Sequence, residues 1–271
     1  MKKITAIVLT ALSLQLAGCA TTTQDSTSGV KRSQFLLMPA SSVDSMSAQA
    51  YTATLKEAEQ KKTLNADKAM LARVRGISNR LIAQVGVFRP DAAQWKWEVN
   101  VEKNDALNAY CMPGGKIMVL SGLVEKINAT DDELAAVIGH EIAHALREHG
   151  RERMSQAYVQ QFGLQALAAM ASGSAVGGAA VQAAGAGSQL FFAMPNGREQ
   201  EREADKMGLE LAARAGFNPN AAISLWQKMG AQSKSAPPEF FSTHPANANR
   251  IADLQALIPK VMPLYNAAKK S

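Results

Sequence analysis

Two histidines four residues apart, His140 and His144, bracket a glutamate in Gly139-His140-Glu141-Ile142-Ala143-His144. On a helix this spacing sets both imidazoles on one face, where they can hold a single metal ion. Glu141 follows the first histidine directly, so its carboxylate can reach a water on that metal without binding the metal itself. Two nitrogen ligands beside a carboxylate are the chemistry of a zinc hydrolase, with Glu141 as the general base. Such a zinc needs a third protein ligand and one open position. Glu201-Arg202-Glu203-Ala204-Asp205 offers Glu201, and Asp205 one turn later can orient a ligand histidine. By spacing alone Glu199 is nearly as good a ligand as Glu201. Glu203 falls on another face and is expected at the surface, with Lys206 in reach. His244, in Thr243-His244-Pro245, lies in an approach loop. It can stabilise an oxyanion, take the open zinc position for a time, or simply bond the start of the next helix.

The elements that must position these groups are legible around them. Thr130-Asp131-Asp132-Glu133 reads as a capping box that opens the histidine helix, and Gly150 can end it, with Arg147 and His149 near its negative end. Leu134, Val137, Ile138, Ile142 and Leu146 form one apolar face. Glu141 falls inside that face, where a carboxylate is costly unless something cationic compensates it, as a metal would. A helix from Glu199 to Ala215, with Gly216 just beyond, carries Glu201, Asp205, Gly208 and Ala212 on one face, small enough for close packing.

The 271 residues carry a formal charge of +6, spread without a cluster of the kind that binds nucleic acid, so no nucleic-acid partner is expected. Met1-Lys2-Lys3 and the uncharged run Ile4 to Leu16 read as a secretory signal over residues 1–18. It ends in Leu16-Ala17-Gly18-Cys19, which resembles the lipobox of bacterial lipoproteins and makes Cys19 the lipidated first residue. Ala20 rather than aspartate then points to the outer membrane of a Gram-negative cell, facing the periplasm. With Cys19 acylated, Cys111 is the one thiol left and is expected to be buried.

Along the chain, residues 20–47 are rich in Ser, Thr and Gln and read as a flexible tether behind Cys19. Helices are expected over about 48–62 and 66–85, then a half-buried strand in which Trp95, Trp97, Val99 and Val101 alternate with polar residues. Asn108-Ala109-Tyr110-Cys111-Met112 and Lys116-Ile117-Met118-Val119-Leu120 read as two short strands around Pro113-Gly114-Gly115. Such a sheet edge can take a peptide as an added strand, or be a plain structural hairpin. Residues 163–188 are dominated by Ala, Gly, Ser and Gln. A helix over 155–171 and then a mobile small-residue loop is the favoured reading, with a buried hairpin or membrane contact as the alternative. Further helices are expected over 219–229 and 246–257, with a loop at 233–238 between them.

Four motifs in this order are similar to those of the HtpX and CaaX-prenyl-protease type of zinc metallopeptidase, in its periplasmic lipoprotein branch. They are Asn108-Ala109 with Pro113-Gly114-Gly115, His140 to His144, Glu201 to Asp205, and Thr243-His244-Pro245. The resemblance implies one Zn2+ per chain held by His140, His144 and Glu201, which decides the third ligand in favour of Glu201. It also implies a mainly helical α+β zincin-type domain over residues 48–258 with a small β-sheet beside the cleft, followed by a tail at 259–271. Asn108, Ala109, Gly114 and Gly115 are the expected substrate-binding residues. The transmembrane helices of the membrane-embedded members and a C-terminal tetratricopeptide array are not expected. The expected activity is hydrolysis of peptide bonds in unfolded or misassembled envelope proteins. The alternatives are an envelope chaperone or assembly factor with a latent site, and a zinc amidase acting on cell-wall peptides.

Overall fold

The computed structural model describes residues 19–172, 195–232, 240–245 and 249–270. The expected signal over 1–18 lies outside these residues, as do most of the small-residue stretch beyond Ser172 and the loop at 233–238. In chain order the elements are β1 (Cys19–Ala20), β2 (Gln34–Phe35), α1 (Ala40–Gln60), α2 (Lys68–Ile82), β3 (Glu98–Glu102), β4 (Ala109–Met112) and β5 (Lys116–Leu120). They continue with α3 (Ser121–Glu125), α4 (Asp131–Leu146), α5 (His149–Ser172), α6 (Arg198–Arg214), α7 (Ala221–Gln232), α8 (Phe240–Thr243) and α9 (Arg250–Ala268). This is the expected mainly helical α+β domain with a small three-stranded sheet, and β1 and β2 pair separately as a two-stranded one. Among the described residues no helix is long and apolar enough to cross a membrane.

The sheet runs in the order β3-β5-β4, with β3 parallel and β4 antiparallel to β5, so β4 is an edge strand. Alternation covers both faces. Ile117, Val119, Val99 and Val101 join the main core with α2 and α4, while Met112, Met118 and Leu120 pack with Tyr51 of α1. The Tyr51 hydroxyl donates to Ile117 O at 2.7 Å and seals that second face. Trp95 and Trp97 are half-buried against the main core, and the strand itself begins only at Glu98. Trp97 lies over the turn: a Cβ on Gly115 would stand 2.7 Å from its ring, and Gly114 and Gly115 both have positive φ.

The Thr130–Glu133 capping box forms as expected, and Glu133 also takes the Ser224 hydroxyl and the Lys228 ammonium. Helix α4 ends earlier than expected. Glu148, not Gly150, takes the left-handed conformation, at φ 50, and Gly150 lies inside α5. Arg89 and Arg151 hold the Glu148 carboxylate, which offsets the cost of that conformation in a residue with a Cβ. The two central helices then touch backbone to backbone. A Cβ on Gly208 of α6 would meet the His140 amide nitrogen at 2.7 Å, and one on Gly139 of α4 would meet Gly208 O at 3.0 Å.

Two expectations at the ends of the domain are corrected. Residues 20–47 are not a loose tether. Gln24 N donates to Phe88 O, Ser28 N to Glu210, and the buried Gln34 side chain to Arg147 O, while α1 begins at Ala40. The polar composition suggested solvation, but these side chains satisfy buried groups of the domain instead. The C-terminal residues 259–268 are not a tail either. Helix α9 runs through Pro259 and Pro263, with Leu254, Leu257, Ile258 and Val261 anchoring it against the core on either side of Pro259 and the partly buried Leu264 and Tyr265 packing beyond Pro263.

The Gly139–Gly208 contact predicts a specific asymmetry. Gly208→Ala gains up to about 1 kcal/mol of helix propensity but loses up to about 3 kcal/mol to overpacking, a net loss of about 2 kcal/mol. Gly76→Ala, at an exposed site of α2 with nothing within 4 Å of the new methyl, should instead stabilise by about 0.5–1 kcal/mol. Urea unfolding of the two variants checks both signs.

Candidate metal centre

Helix α4 presents His140, Glu141 and His144 to the floor of a cleft, and α6 presents Glu201 from across the glycine contact. His244 arrives from the turn after α8 and Arg250 from the first turn of α9. His140 Nε2 and His144 Nε2 are 3.0 Å apart, and the Glu201 carboxylate stands 3.5 Å from the first and 3.3 Å from the second. Four ligand atoms around a tetrahedral zinc with bonds of about 2.0–2.1 Å stand about 3.3 Å from one another. The donor set and its spacing therefore fit the ion. Glu199 is excluded as a ligand: it is exposed and pairs with Arg202.

Electrostatics make the same point. Burial alone would push the Glu201 carboxyl up, but His140, His144 and His244 together hold it well below the usual carboxylate range. Burial disfavours a charged His140, yet the Asp205 and Glu201 carboxylates outweigh it and push its pKa up to about 10. Burial pushes His144 well below its ordinary value. The buried carboxylates thus draw positive charge onto His140, a demand that a divalent cation also meets. Asp205 stands against His140, with Oδ1 at 2.9 Å from His140 Nδ1. Glu141 is also buried and its pKa is raised, chiefly by burial. Its Oε1 has no hydrogen bond among the described residues and stands 3.4 Å from His244 Nε2.

His244 sits deeper than a loop residue beside an oxyanion. Its Nδ1 is 3.0 Å from Glu201 Oε1 and 3.3 Å from His140 Nε2, so it closes the fourth corner of the cluster. Phe240 stacks on its ring with centroids 4.2 Å apart, and the Asn196 side chain reaches its Nδ1 at 3.1 Å. The cleft above is lined by Asn108, Ala109 and the rest of β4, together with Glu141, His144, Arg153 and His244. Gly114 and Gly115, expected to bind substrate, are turn residues instead; the β4 side of the lining ends at Pro113. Cys111 is buried, as expected, and burial pushes its thiol up.

Several residues of the site carry no signal of their own in the sequence. Arg250 binds Asp205 at 2.7 Å and Glu201 at the same time, with its guanidinium 3.9 Å above the Trp226 ring. An arginine in a first helical turn reads as surface, and only the tertiary fold brings it here. Asn196 reads as a helix-start residue but braces His244. Glu203 is the clearest reversal: it is buried rather than exposed and accepts from Arg147, Arg32 and His149, because its face of α6 meets the start of α5.

Residues 68–258 match the profile of Peptidase family M48. The chain belongs to that family. Among its relatives, the mitochondrial metalloendopeptidase OMA1 of Saccharomyces cerevisiae is 33% identical over 178 residues, 63% of this chain and 49% of the relative. The metalloendopeptidase OMA1 of Homo sapiens is 30% identical over 240 residues, 85% of this chain and 45% of the relative. The beta-barrel assembly-enhancing protease of Escherichia coli is 32% identical over 173 residues, 59% of this chain and 34% of the relative. This M48 chain thus spans half or less of the length of these relatives.

The centre generates a prediction that does not depend on turnover. Asp205→Ala removes the carboxylate at His140 Nδ1 and should weaken zinc binding roughly 10–100-fold, whereas Glu199→Ala should leave it unchanged. Competition with a chelator of known affinity reads both.

Proposed function

We propose that this M48 chain is a zinc-dependent endopeptidase, lipid-anchored through Cys19 at the outer membrane and facing the periplasm. Its substrates on this reading are misfolded or misassembled proteins of the cell envelope. The observation that carries the activity is the convergence of His140, His144 and Glu201 beneath a cleft, with the buried Glu141 carboxylate beside them, its Oε1 facing His244. The relatives named above are each called a metalloendopeptidase or a protease, which supports the reaction class. The name of the Escherichia coli relative supports an envelope role, and the lipobox-like sequence before Cys19 supports the anchor.

A zinc ion held by His140, His144 and Glu201 supplies Lewis-acid chemistry, polarising a carbonyl and acidifying a water. The chain's own groups do the rest. β4 offers the edge of its sheet along the cleft, where an extended peptide can pair as an added strand from Asn108 and Ala109 onward. The Glu141 carboxylate, raised by burial, takes a proton from the attacking water at Oε1 and passes it to the leaving amine. His244, once turned out of the cluster, has its Nε2–H available to a developing oxyanion.

The position of His244 favours a second reading: an envelope chaperone or assembly factor whose peptidase site is latent. With Nδ1 in the fourth corner and Nε2 facing Glu141, His244 occupies the place a water and a carbonyl need. On either reading the histidine must leave before substrate enters.

Casein cleavage by full-length protein, with zinc content measured alongside, separates the readings. Glu141→Gln should keep its zinc and lose about 10²–10⁴-fold in activity. Wild-type protein that holds zinc yet cleaves nothing, with activity appearing in His244→Ala, would establish the latent site. Absence of zinc from both wild type and Glu141→Gln would refute the metallopeptidase.

A further inference from the structure

The two zinc-facing histidines are braced by different means. His140 Nδ1 stands directly against the Asp205 carboxylate. His144 Nδ1 instead meets a second imidazole, lying 2.7 Å from His149 Nδ1. On its far side His149 Nε2 is 2.9 Å from Glu203 Oε2. With His144 Nε2 turned to the metal as a bare lone pair, the ring hydrogen of His144 sits on Nδ1 and is donated to His149 Nδ1. His149 must then carry its hydrogen on Nε2, and it donates that hydrogen to Glu203. Both donations run in one direction and end on a carboxylate, so the usual carboxylate support of a ligand histidine is delivered through an inserted ring.

Glu203 is fixed in turn by two arginines. Arg147, fully buried, donates to Oε2 from Nε at 3.2 Å and from a terminal nitrogen at 3.1 Å. Arg32 donates to Oε1 from Nε at 2.8 Å and to Oε2 at 3.2 Å, and its other edge forks onto Glu152. Arg32 belongs to the N-terminal stretch that crosses the back of the domain, outside residues 68–258 matched by the family profile. The strap is held there at Gln34, whose amide donates to Arg147 O and Glu152, and at Ser26 and Ser28, which bind Glu210.

We propose that this N-terminal strap is part of the metal site: Arg32 fixes Glu203, and Glu203 acting through His149 orients His144. His149, Glu203 and Arg32 are then positioning residues for a zinc ligand, none of them touching the metal. The role rests on the zinc centre proposed above and extends it to residues 20–36.

The test is the rate at which purified full-length protein gives up zinc to a chromogenic chelator, with the thermal midpoint of each zinc-free form recorded to establish that it folds. His149→Leu and Arg32→Ala should each release zinc about 10-fold faster or more. His149→Gln, whose amide supplies one acceptor and one donor, should recover most of the wild-type rate. A ring that merely fills space would make the Leu and Gln variants alike. Combining Arg32→Ala with His149→Leu should add nothing beyond His149→Leu, because Arg32 acts through the ring that is gone. Release within about twofold of wild type in both single variants would overturn the role, as would fully additive effects in the double variant. Should Arg32→Ala fail to fold, the Leu–Gln comparison at residue 149 decides the matter by itself. Wild-type protein that holds no zinc would remove the metal centre and this role together, an outcome distinct from a wild type that binds zinc beside unaffected variants.

Discussion

The contact between Gly139 and Gly208 is the constraint on which the site depends. It lets α4 and α6 approach until one backbone meets the other, and so brings Glu201 into the same buried space as His140 and His144. A fully buried carboxylate is tolerated only where positive charge and hydrogen bonds replace the water it lost. Three histidines and Arg250 gather around Glu201, and the histidine nitrogens, 3.0–3.5 Å from its oxygens, are spaced as a tetrahedral zinc shell would require. The same close approach sets Asp205 one turn on against the outer nitrogen of His140. A methyl group at the crossing would move every one of these distances.

Around that crossing the fold arranges charge in two layers. The inner layer holds Glu201, Asp205 and Arg250 with His140, His144 and His244. The outer layer holds Glu203 and Glu152 with Arg147 and Arg32, and His149 joins the two. In the outer layer two acids face two arginines in a largely buried space, so truncating one member leaves another unpaired. The N-terminal strap, which contributes Arg32 and Gln34, is therefore held by the same charged group that reaches His144 through His149. On the open side of the site the polar requirements differ. β4 lies at the edge of its sheet along the cleft, and Glu141 and His244 face each other across its floor.

Much of this was legible in the sequence. The spacing of His140 and His144, the Thr130–Glu133 box and the apolar face around Glu141 identified the histidine helix and its carboxylate, because helical period and capping are local properties. The hairpin followed from Pro113-Gly114-Gly115, and the close helix packing from Gly208. The choice between Glu199 and Glu201 was not available from spacing, since both lie near the same end of α6. The structure separates them by burial: one pairs with Arg202 in solvent and the other enters the cluster. Polar composition misled over residues 20–47, where Gln34, Ser28 and Arg32 serve buried partners rather than water. Helical face misled at Glu203, which lies off the Glu201 face yet is buried against the start of α5. The expected tail at 259–271 is helical as far as Ala268, where burial of Leu257, Ile258 and Val261 holds α9 against the core.

The sequence by itself determined which residues could do chemistry, because ligand type, helical spacing and caps are settled within a few neighbouring residues. It also determined the reaction class those residues suit. Only the tertiary structure decided which charges share a buried space: Arg250 with Glu201, His149 between His144 and Glu203, and Arg32 brought back over the domain from far upstream. The energy of a buried charge depends on partners distant in the chain, and no local pattern records where those partners will be.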